Sequence, residues 1–318
     1  MLRTAIALVI GFILDMFFGD PSNIPHPIVL IGKLISSVKD TVKNMMPATP
    51  AGERTAGGIM WLIVCLVSYL IPLWILKALG SVSWLLGLAA ESVMCWLILA
   101  AKSLKSESMK VHDAMEEGDI EGARHAVSMI VGRDTEHLDG PGIIRAAVET
   151  VAENTSDGII APMFFIALGG APLGFLYKAV NTMDSMVGYT DMPYTYIGYF
   201  PAKLDDIFNF IPARLSALLM LAAGKILRLD VKNGWKIFVR DRYNHASPNS
   251  AQTESVCAGL LGLRLAGDAW YHGVLHEKLY IGDEIRSIEN EDIPGVCRLM
   301  YVTSALMLVF SILMMSFA

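Results

Sequence analysis

Charged residues are scarce in this chain. They make up 18% of its 318 positions, whereas hydrophobic residues make up 54%. The mean hydropathy of +0.49 is far from the balance of an ordinary soluble domain. Lysine and arginine are absent from the whole segment that follows Arg298. This composition excludes a typical soluble globular protein and predicts a membrane protein.

Several common functional signatures are also absent. The sequence contains no P-loop, no G-x-G-x-x-G, no H-E-x-x-H and no G-x-S-x-G, which excludes the familiar nucleotide, zinc and serine-hydrolase sites. No cysteine belongs to a C-x-x-C pair, so neither a zinc site nor a disulfide framework is expected. The cysteines, expected to be small apolar fillers, are Cys65, Cys95, Cys257 and Cys297. The net charge of −6 does not indicate a nucleic-acid partner.

Long apolar windows are abundant by contrast. Five of them have 17 to 21 residues, close to the length of a helix that spans a bilayer. They are Leu2–Phe18, Ile59–Leu79, Val82–Ala101, Ile207–Leu227 and Leu299–Phe317. Lysine and arginine cluster in 19–56, 102–158 and 225–254, so by the positive-inside tendency these segments face the cytoplasm.

One further apolar window is interrupted. Ile159–Val180 is long enough to cross a membrane, but it contains the helix-breaking residues Pro162, Gly169, Gly170, Pro172 and Gly174. Broken backbone at membrane depth needs neighbouring protein or a water-filled cavity beside it. This window therefore predicts an interrupted or re-entrant helix that lines a polar cavity. Val256–Ala266 is also apolar, but it is too short to cross alone.

The predicted fold is all-α: a polytopic helical membrane protein that forms one domain over 1–318. Its large polar loops are 19–56, 102–158, 181–206 and 228–254. Within the second loop, apolar positions recur at helical spacing on both sides of Gly118 and Asp119, which predicts a cytoplasmic helical hairpin with Asp119 as a cap. The breakers within 183–206, which are Gly188, Pro193, Gly198 and Pro201, predict a loop and not a helix.

A stripe of carboxylates leads into the interrupted window. Arg145, Glu149, Glu153 and Asp157 are each four residues apart, so on a helix they turn by only about 40° per step. An exposed helix with pairs of opposite charge would show the same spacing. However, the stripe ends at Gly158, where the apolar window begins, and ionisable groups at a cavity mouth are more often functional.

Two polar sets follow that window. Lys178, Asn181, Asp184 and Ser185 lie close together on a helix, and a cation, an amide and a carboxylate suit a phosphate group with its magnesium ion. A helix end with Lys178 extending to the membrane surface is the alternative. The second set consists of Asp205, Asp206 and Arg214.

Three other segments are rich in polar side chains. DMFFGDPSNIPHP holds Asp15, Asp20 and His26, and a single histidine between prolines is more often structural than catalytic. GRDTEHLD contributes Arg133, Asp134 and Asp139. RYNHASPNSAQTE contributes His245, Ser247, Asn249, Ser250 and Glu254. Together these segments suit the binding of a large polar anion and magnesium-assisted phosphate chemistry.

Long motifs of the chain together resemble one enzyme family. They are GDP and PHP within 19–27, GRDT followed by Asp139, RAAVETVAENTSDGIIAP, GGAP with YKAVNTMDSMVGY, LDD with N-x-IPAR, and SPNS. They extend from Asp15 to about Gly273 and resemble the adenosylcobinamide-phosphate synthase family of cobalamin biosynthesis. The resemblance implies an ATP-dependent ligase in the cytoplasmic membrane that joins adenosylcobyric acid to (R)-1-amino-2-propanol or its O-phosphate.

The resemblance and the residue types together lead to expected roles. ATP and Mg²⁺ are the expected cofactors, and the magnesium ligands would be Asp184, Asp205 and Asp206. Residues expected to bind phosphates or the corrin amides are Arg133, Asp134, Asn154, Lys178, Asn181, Ser185, Arg214, Ser247 and Asn249. Residues expected in catalysis are Glu149, Glu153, Asp157 and His245, with Glu153 or His245 accepting the amine proton. Lipid, further copies of the chain or other membrane enzymes of cobalamin assembly are the expected partners.

Two other functions are compatible with the polar segments. A membrane prenyl or phosphoalcohol transferase also places acidic groups and magnesium at a cavity mouth, but paired D-x-x-x-D motifs on two helices are missing. A corrinoid-binding or transport protein without catalysis would use the interrupted helix as a gate. Against the latter, no inverted repeat is visible in the sequence.

Overall fold

The computed structural model describes residues 1–21, 26–188 and 194–317, and in these ranges the chain is predominantly helical. The helices of the first half are α1 (Leu2–Phe18), α2 (Pro27–Met45), α3 (Pro50–Val82), α4 (Trp84–Ile98), α5 (Ala101–Glu116), α6 (Ile120–Ser128) and α7 (Gly140–Thr155). A π-helical turn, Ser156–Ile160, then leads into α8 (Ala161–Val187). The remaining helices are α9 (Tyr199–Phe208), α10 (Phe210–Ile226), α11 (Val231–Asp241), α12 (Ser250–Leu261) and α13 (Asp292–Phe317).

Four short strands lie between α12 and α13. They are β1 (Leu265–Ala266), β2 (Ala269–Tyr271), β3 (Val274–His276) and β4 (Tyr280–Ile281). β1 pairs antiparallel with β4, and β2 pairs antiparallel with β3. The all-α prediction is confirmed, with these two small ribbons as a local addition.

The chain divides into two compact units. The first unit contains Met1–Ala100, Ala161–Asn209 and Leu308–Ala318, and the second contains Ala101–Ile160 and Phe210–Met307. Within the first unit, α3 packs against α2, α4, α8 and α9, and α1 packs against α4. Within the second unit, α12 packs against α7, α10 and α11.

In the part of the chain that the structure describes, four helical segments are long and apolar enough to cross a membrane: Pro50–Val82, Trp84–Glu116, Gly140–Val187 and Asp292–Phe317. Tyr199–Phe208 and Phe210–Ile226 would form a fifth if they act as one broken span. These segments confirm the prediction of a polytopic membrane protein. α1 covers the first predicted window residue for residue, but with 17 residues it is shorter than these segments.

The prediction of one continuous helix over Ile207–Leu227 is wrong, because α9 ends at Phe208 and α10 begins at Phe210. Pro212 explains the break. It lacks a backbone N–H, and in a continuous helix its ring would clash with the carbonyl group of Phe208, four residues earlier.

The prediction that 183–206 forms a loop is also wrong in part. α8 continues to Val187, and α9 begins at Tyr199. Gly188 does follow the end of α8, as a breaker should, but Pro201 lies in the first turn of α9, where a missing N–H has no cost. Gly198 directly precedes α9, and Pro193 lies outside the described residues.

The predicted hairpin is confirmed. α5 and α6 pack together on either side of Gly118, whose φ of 76° lies in the left-handed region. The Asp119 carboxylate accepts a hydrogen bond of 2.9 Å from the backbone N–H of Gly122 and so caps α6. The other predicted polar loops also contain helices, namely α2 and α11. All four cysteines are buried free thiols, as predicted.

α12 forms the centre of the second unit. All residues from Ala251 to Leu260 are buried, so the helix has no solvent-exposed face. This enclosure explains why a helix of 12 residues carries an apolar stretch without being long enough to span a membrane.

α8 is interrupted as predicted. Gly169 (φ −151°, ψ 22°) and Gly170 (φ 74°, ψ −175°) are non-helical, and Pro172 follows them. The conformation of Gly170 is essentially restricted to glycine. Both glycines line a cavity of about 300 Å³ in the first unit, which agrees with the expectation that the interrupted helix lines a polar cavity.

We predict that Gly170→Ala destabilises the protein by about 1–3 kcal/mol, because alanine must adopt a conformation that is strained for any residue with a Cβ atom. Gly295→Ala is the matched control, since nothing lies within 4 Å of a Cβ atom at this helical glycine. The control is expected to be neutral or stabilising. Thermal unfolding in detergent measures both variants, and equal midpoints would contradict the requirement for glycine at the break.

Candidate functional site

α7 supplies the first side chains of the candidate site. Asp139 caps its start, accepting a hydrogen bond of 2.8 Å from the backbone N–H of Gly142. Most of the helix from Ile143 to Ala152 is buried. The carboxylate stripe is therefore not the exposed, charge-paired helix face that its spacing alone would also permit.

Glu149 is the most enclosed carboxylate of this stripe, with 4% of the residue exposed. One oxygen, Oε2, accepts a hydrogen bond from Nη2 of Arg133, and the two side chains form an ion pair. The other oxygen, Oε1, accepts a hydrogen bond of 2.6 Å from the backbone N–H of Ala266. Both oxygens of Glu149 are therefore engaged by the protein.

Ala266, which ends β1, has a φ of 59°. This left-handed conformation is uncommon for a residue that is not glycine, and strain of this kind tends to occur at functional sites. The hydrogen bond to Glu149 holds the Ala266 amide beside α7.

Asp134 connects the loop before α7 to the β2–β3 hairpin. Its carboxylate accepts hydrogen bonds of 3.1 Å from the backbone N–H of His272 and 2.7 Å from that of Gly273. Both hairpin residues have positive φ, as a two-residue turn of this type requires. Asp134 is predicted to bind a cofactor, but both of its carboxylate oxygens accept hydrogen bonds from the hairpin backbone.

The segment from His245 to Ser250 contains three residues with predicted roles, His245, Ser247 and Asn249. His245 Nδ1 accepts a hydrogen bond of 3.0 Å from the backbone N–H of Ser247, and Ser247 Oγ accepts one of 3.3 Å from that of Asn249. Asn249 Oδ1 in turn accepts a bond of 3.2 Å from Nη1 of Arg214. The segment thus links α10 to the site.

Ser250, at the start of α12, connects the same segment to α7. Its hydroxyl group donates a hydrogen bond of 2.7 Å to Oε1 of Glu153. Glu153 and His245 therefore lie in the same part of the second unit.

These side chains surround a small polar cavity of about 60 Å³. Its ionisable lining residues are Arg133, Glu149, Glu153, His245, Glu254, Tyr271 and Lys278. Lys278 Nζ donates a hydrogen bond of 2.6 Å to the Tyr271 hydroxyl group. Three carboxyl groups and two permanent cations therefore share one enclosed space.

Three of these residues had no predicted role. Glu254 lies in the polar segment that the sequence singles out, four residues after Ser250, so the dense polar composition was a usable signal. Lys278 and Tyr271 belong to the region of the hairpin, and nothing in their spacing relates them to α7. Only the fold brings them to the cavity.

Glu254 and His245, which both line the cavity, have displaced pKa values. Burial, and then the negative charges of Glu153 and Glu149, raise the pKa of Glu254 well above its ordinary value. Burial lowers the pKa of His245, against the opposing effect of Glu153. These shifts favour the protonated form of Glu254 and the neutral form of His245.

Two further residues with predicted roles, Asn154 and Asp157, directly follow Glu153 or lie one helical turn after it. Asn154 donates a hydrogen bond of 3.0 Å to the carbonyl group of Thr150 on its own helix. Asp157 is half-buried in the π-helical turn, a type of irregularity that is frequent at functional sites. Neither residue lines the 60 Å³ cavity.

The remaining predicted residues lie in the first unit. Lys178 is buried on α8, and the next polar positions of that helix, Asn181 and Asp184, are half-buried. Ser185 is exposed, and its hydroxyl group donates to the carbonyl group of Asn181 at 3.0 Å. A hydrogen-bonded chain connects α8 to α9: Tyr177 donates to Asn209 at 2.8 Å, and Asn209 donates to Asp205 at 2.9 Å.

The three predicted magnesium ligands have suitable chemistry, since carboxylate oxygens are what Mg²⁺ prefers. Asp205 is buried, and Asp206 lies 3.4 Å from the Lys203 ammonium group. Among the described residues, the only close group of three metal-binding side chains is His112, Asp113 and Glu116, and it includes none of the three. Magnesium commonly uses one or two carboxylates plus substrate phosphates, so a preformed triad is not required.

We predict that Glu254→Gln stabilises the folded protein more at about pH 8 than at about pH 5. The folded protein holds a proton on Glu254 above the ordinary carboxyl pKa, so the native glutamate loses stability as the pH rises and glutamine does not. Thermal unfolding across this pH range measures the difference. Glu117→Gln, a change at an exposed position, is the control, and a pH-independent difference for Glu254→Gln would contradict the assignment.

Comparison with known proteins identifies the family. Residues 8–300 match the family described as CobD/Cbib protein. The chain is 49% identical to the cobalamin biosynthesis protein CobD of Clostridium perfringens, over 91% of this chain and 90% of that protein. It is 44% identical to the CobD protein of Photorhabdus laumondii, over 98% and 97% of the two chains.

A third relative is the cobalamin biosynthesis protein CbiB of Salmonella typhi, 44% identical over 96% of this chain and 95% of its own. No solved structure matches the chain. The matches cover nearly the whole sequence, including both units. The chain therefore belongs to the CobD/Cbib protein family.

Proposed function

We propose that this protein acts in cobalamin biosynthesis as an ATP-dependent amide ligase of the cytoplasmic membrane. Its substrates would be adenosylcobyric acid and (R)-1-amino-2-propanol or the O-phosphate of that amine. The observation that carries this proposal is the polar cavity in the second unit, where Glu153, His245 and Glu254 meet beside Arg133 and Lys278. Such a set of acids, bases and cations suits a reaction that moves both a proton and a phosphate group.

The chemistry requires activation of the corrinoid, because a carboxylate and an amine do not condense spontaneously in water. In the proposed reaction, the γ-phosphoryl group of ATP passes to a carboxylate oxygen of the corrinoid, which releases ADP and forms an acyl phosphate. The amine nitrogen then attacks the acyl carbon, and the bond from this carbon to the phosphate oxygen breaks. Inorganic phosphate leaves, and the proton of the amine passes to a base on the protein.

Glu153 is the better candidate for this base. One of its oxygens holds the Ser250 hydroxyl group, which fixes the carboxylate in place and leaves the second oxygen to accept the proton. His245 is less suitable, because its Nδ1 lone pair already accepts the Ser247 N–H. In the neutral ring the proton then lies on Nε2, so His245 would donate a hydrogen bond to the oxyanion that forms during amine attack.

Glu149 has a different proposed role. Since Arg133 and the Ala266 amide occupy its oxygens, it cannot readily accept a proton from substrate. We assign it as a positioning residue that holds Arg133 at the cavity. Arg133 would then neutralise negative charge on the transferred phosphate.

Arg214 is a candidate for binding the phosphate of the amine substrate. Its guanidinium group lies 3.6 Å from the centre of the Phe210 ring, and Nη1 makes both of its hydrogen bonds, to Asn249 and to the Phe210 carbonyl group. Among the described residues, Nε and Nη2 make no hydrogen bond. Two adjacent donors of one guanidinium group match two oxygens of a phosphate.

Asp184, Asp205 and Asp206 are the residues that would hold magnesium, and Lys178 would contribute a cation for the phosphates of ATP. When bound, Mg²⁺ neutralises phosphate charge. Asp205 is held in place by Asn209, so its orientation does not depend on the metal ion.

The main prediction concerns the product. After incubation of purified protein with adenosylcobyric acid, ATP, magnesium and the amine, mass spectrometry should show a corrinoid whose mass has increased by the amine minus water. Separate reactions with aminopropanol and its phosphate identify the preferred amine. An unchanged corrinoid, with protein that is folded and binds the corrinoid, would contradict the ligase and favour a binding or transport function.

A second prediction concerns the metal ion. Asp184→Asn should raise the magnesium concentration needed for half-maximal turnover by roughly ten- to a hundredfold, the range typical for groups that support a metal site. Asp40→Asn, a change of an exposed helical aspartate in the same unit, is the control and should leave the requirement unchanged. An unaltered magnesium titration for Asp184→Asn would remove this residue from the proposed ligands.

A further inference from the structure

A second polar cavity, separate from the proposed catalytic residues, lies within the first unit. It has a volume of about 300 Å³, and its charged side chains are Arg3, Lys77 and Glu91. Arg3 is near the start of α1, and Lys77 is near the end of α3. The cavity therefore lies where apolar helices begin and end, which in a membrane protein is the level of the lipid headgroups.

The negative charge of this cavity is neutralised internally. Glu91 is 1% exposed, and its Oε2 accepts a hydrogen bond of 2.8 Å from Arg3 Nε. Its Oε1 accepts one of 3.0 Å from the Thr4 hydroxyl group. Both carboxylate oxygens are thus engaged, and the pair of Arg3 and Glu91 carries no net charge.

The two basic side chains of the cavity have donors that could bind a ligand. Arg3 contacts Glu91 through Nε alone, and in the described ranges its two terminal nitrogens make no hydrogen bond. Lys77 is exposed, with Nζ 5.2 Å from the centre of the Trp74 ring. The charged lining residues, two cations and one carboxylate, therefore leave a net positive charge suited to an anion.

Glycines on two helices make room for the Arg3 guanidinium group. A Cβ atom at Gly87 of α4 would lie 2.8 Å from Arg3 Nη1, and one at Gly80 of α3 would lie 3.0 Å from the same atom. Any larger residue would displace the guanidinium group. The position of the Arg3 side chain therefore depends on glycine at these two positions of α3 and α4.

An apolar groove of about 820 Å³ occupies a neighbouring face of the same two helices. α2, α3, α4 and Phe175 of α8 line it, and Ser68 is its one hydroxyl-bearing residue among the lining side chains. Leu79 of the groove adjoins Gly80 of the polar cavity, and Ala90 adjoins Glu91. Exposed Trp74 and Trp84 flank this end of α3 and α4, as expected for side chains at a membrane interface.

We propose that this part of the first unit binds an anionic phospholipid, with its phosphate at Arg3 and Lys77 and its acyl chains in the apolar groove. The two terminal nitrogens of Arg3 suit two phosphate oxygens, and Lys77 adds a second positive charge. A zwitterionic headgroup offers no net negative charge to these cations. The site is independent of the proposed ligase reaction, and its occupant is a structural lipid of the membrane.

Lipid titration of the delipidated full-length protein tests the proposal. Native mass spectrometry in detergent measures the occupancy of phosphatidylglycerol and of phosphatidylcholine with identical acyl chains. Phosphatidylglycerol is expected to bind at least about fivefold more tightly, the contribution of one basic residue near an anionic lipid. Equal affinity for the two lipids would overturn the proposal.

Substitutions separate the headgroup site from the groove. Lys77→Gln should weaken phosphatidylglycerol binding by about fivefold and leave phosphatidylcholine binding unchanged. Lys225→Gln is the matched control, because Lys225 is an exposed lysine in the last turn of another apolar helix and does not line this cavity. A Lys77 variant that behaves like the Lys225 variant would contradict the headgroup assignment.

Ala89→Phe fills the groove from an exposed position on α4 and should weaken the binding of both lipids. Unchanged binding of both would contradict the placement of the acyl chains. Arg3→Gln is less informative, because it removes the charge partner of buried Glu91 and is expected to impair folding.

Discussion

The ion pair between Arg133 and Glu149 is the interaction on which the second unit depends. A carboxylate as buried as Glu149 is unstable without a partner, and loss of one member of such a pair costs about 3–5 kcal/mol. Arg133 provides the opposite charge, and the Ala266 amide provides a hydrogen bond. These two contacts hold a loop and a short strand against α7, and they form one wall of the polar cavity.

The same arrangement determines the protonation of the neighbouring groups. Burial of Glu254, and then the nearby carboxylates of Glu153 and Glu149, raise the pKa of Glu254 and favour its protonated form. The segment Ser247–Ser250 fixes two of these side chains. The backbone N–H of Ser247 donates to Nδ1 of His245, and the Ser250 hydroxyl group donates to Glu153. Amine attack on an activated carboxyl group needs a base for the amine proton and hydrogen-bond donors for the developing oxyanion. Glu153 suits the first role, and Glu254 and the Nε2 atom of His245 suit the second.

Much of the architecture could be predicted because its signals are local. Hydropathy over about 20 residues locates spans, and the glycines and proline of 169–172 identify the break in α8. The carboxylate stripe was visible from its four-residue spacing, but this spacing does not identify the partner of Glu149, which is Arg133 from a preceding loop. Lys278 and Tyr271 reach the cavity through long-range pairing, which no spacing encodes.

We propose that Glu153 accepts the amine proton after the corrinoid has been activated. Single-turnover reactions of Glu153→Gln, with hydroxylamine present to trap acyl phosphate as a hydroxamate, test it directly. We expect near-normal hydroxamate formation, while amide formation falls by about 10²–10⁴-fold, the usual contribution of a positioned base. Normal amide formation, or an equal loss of hydroxamate and amide, would contradict it.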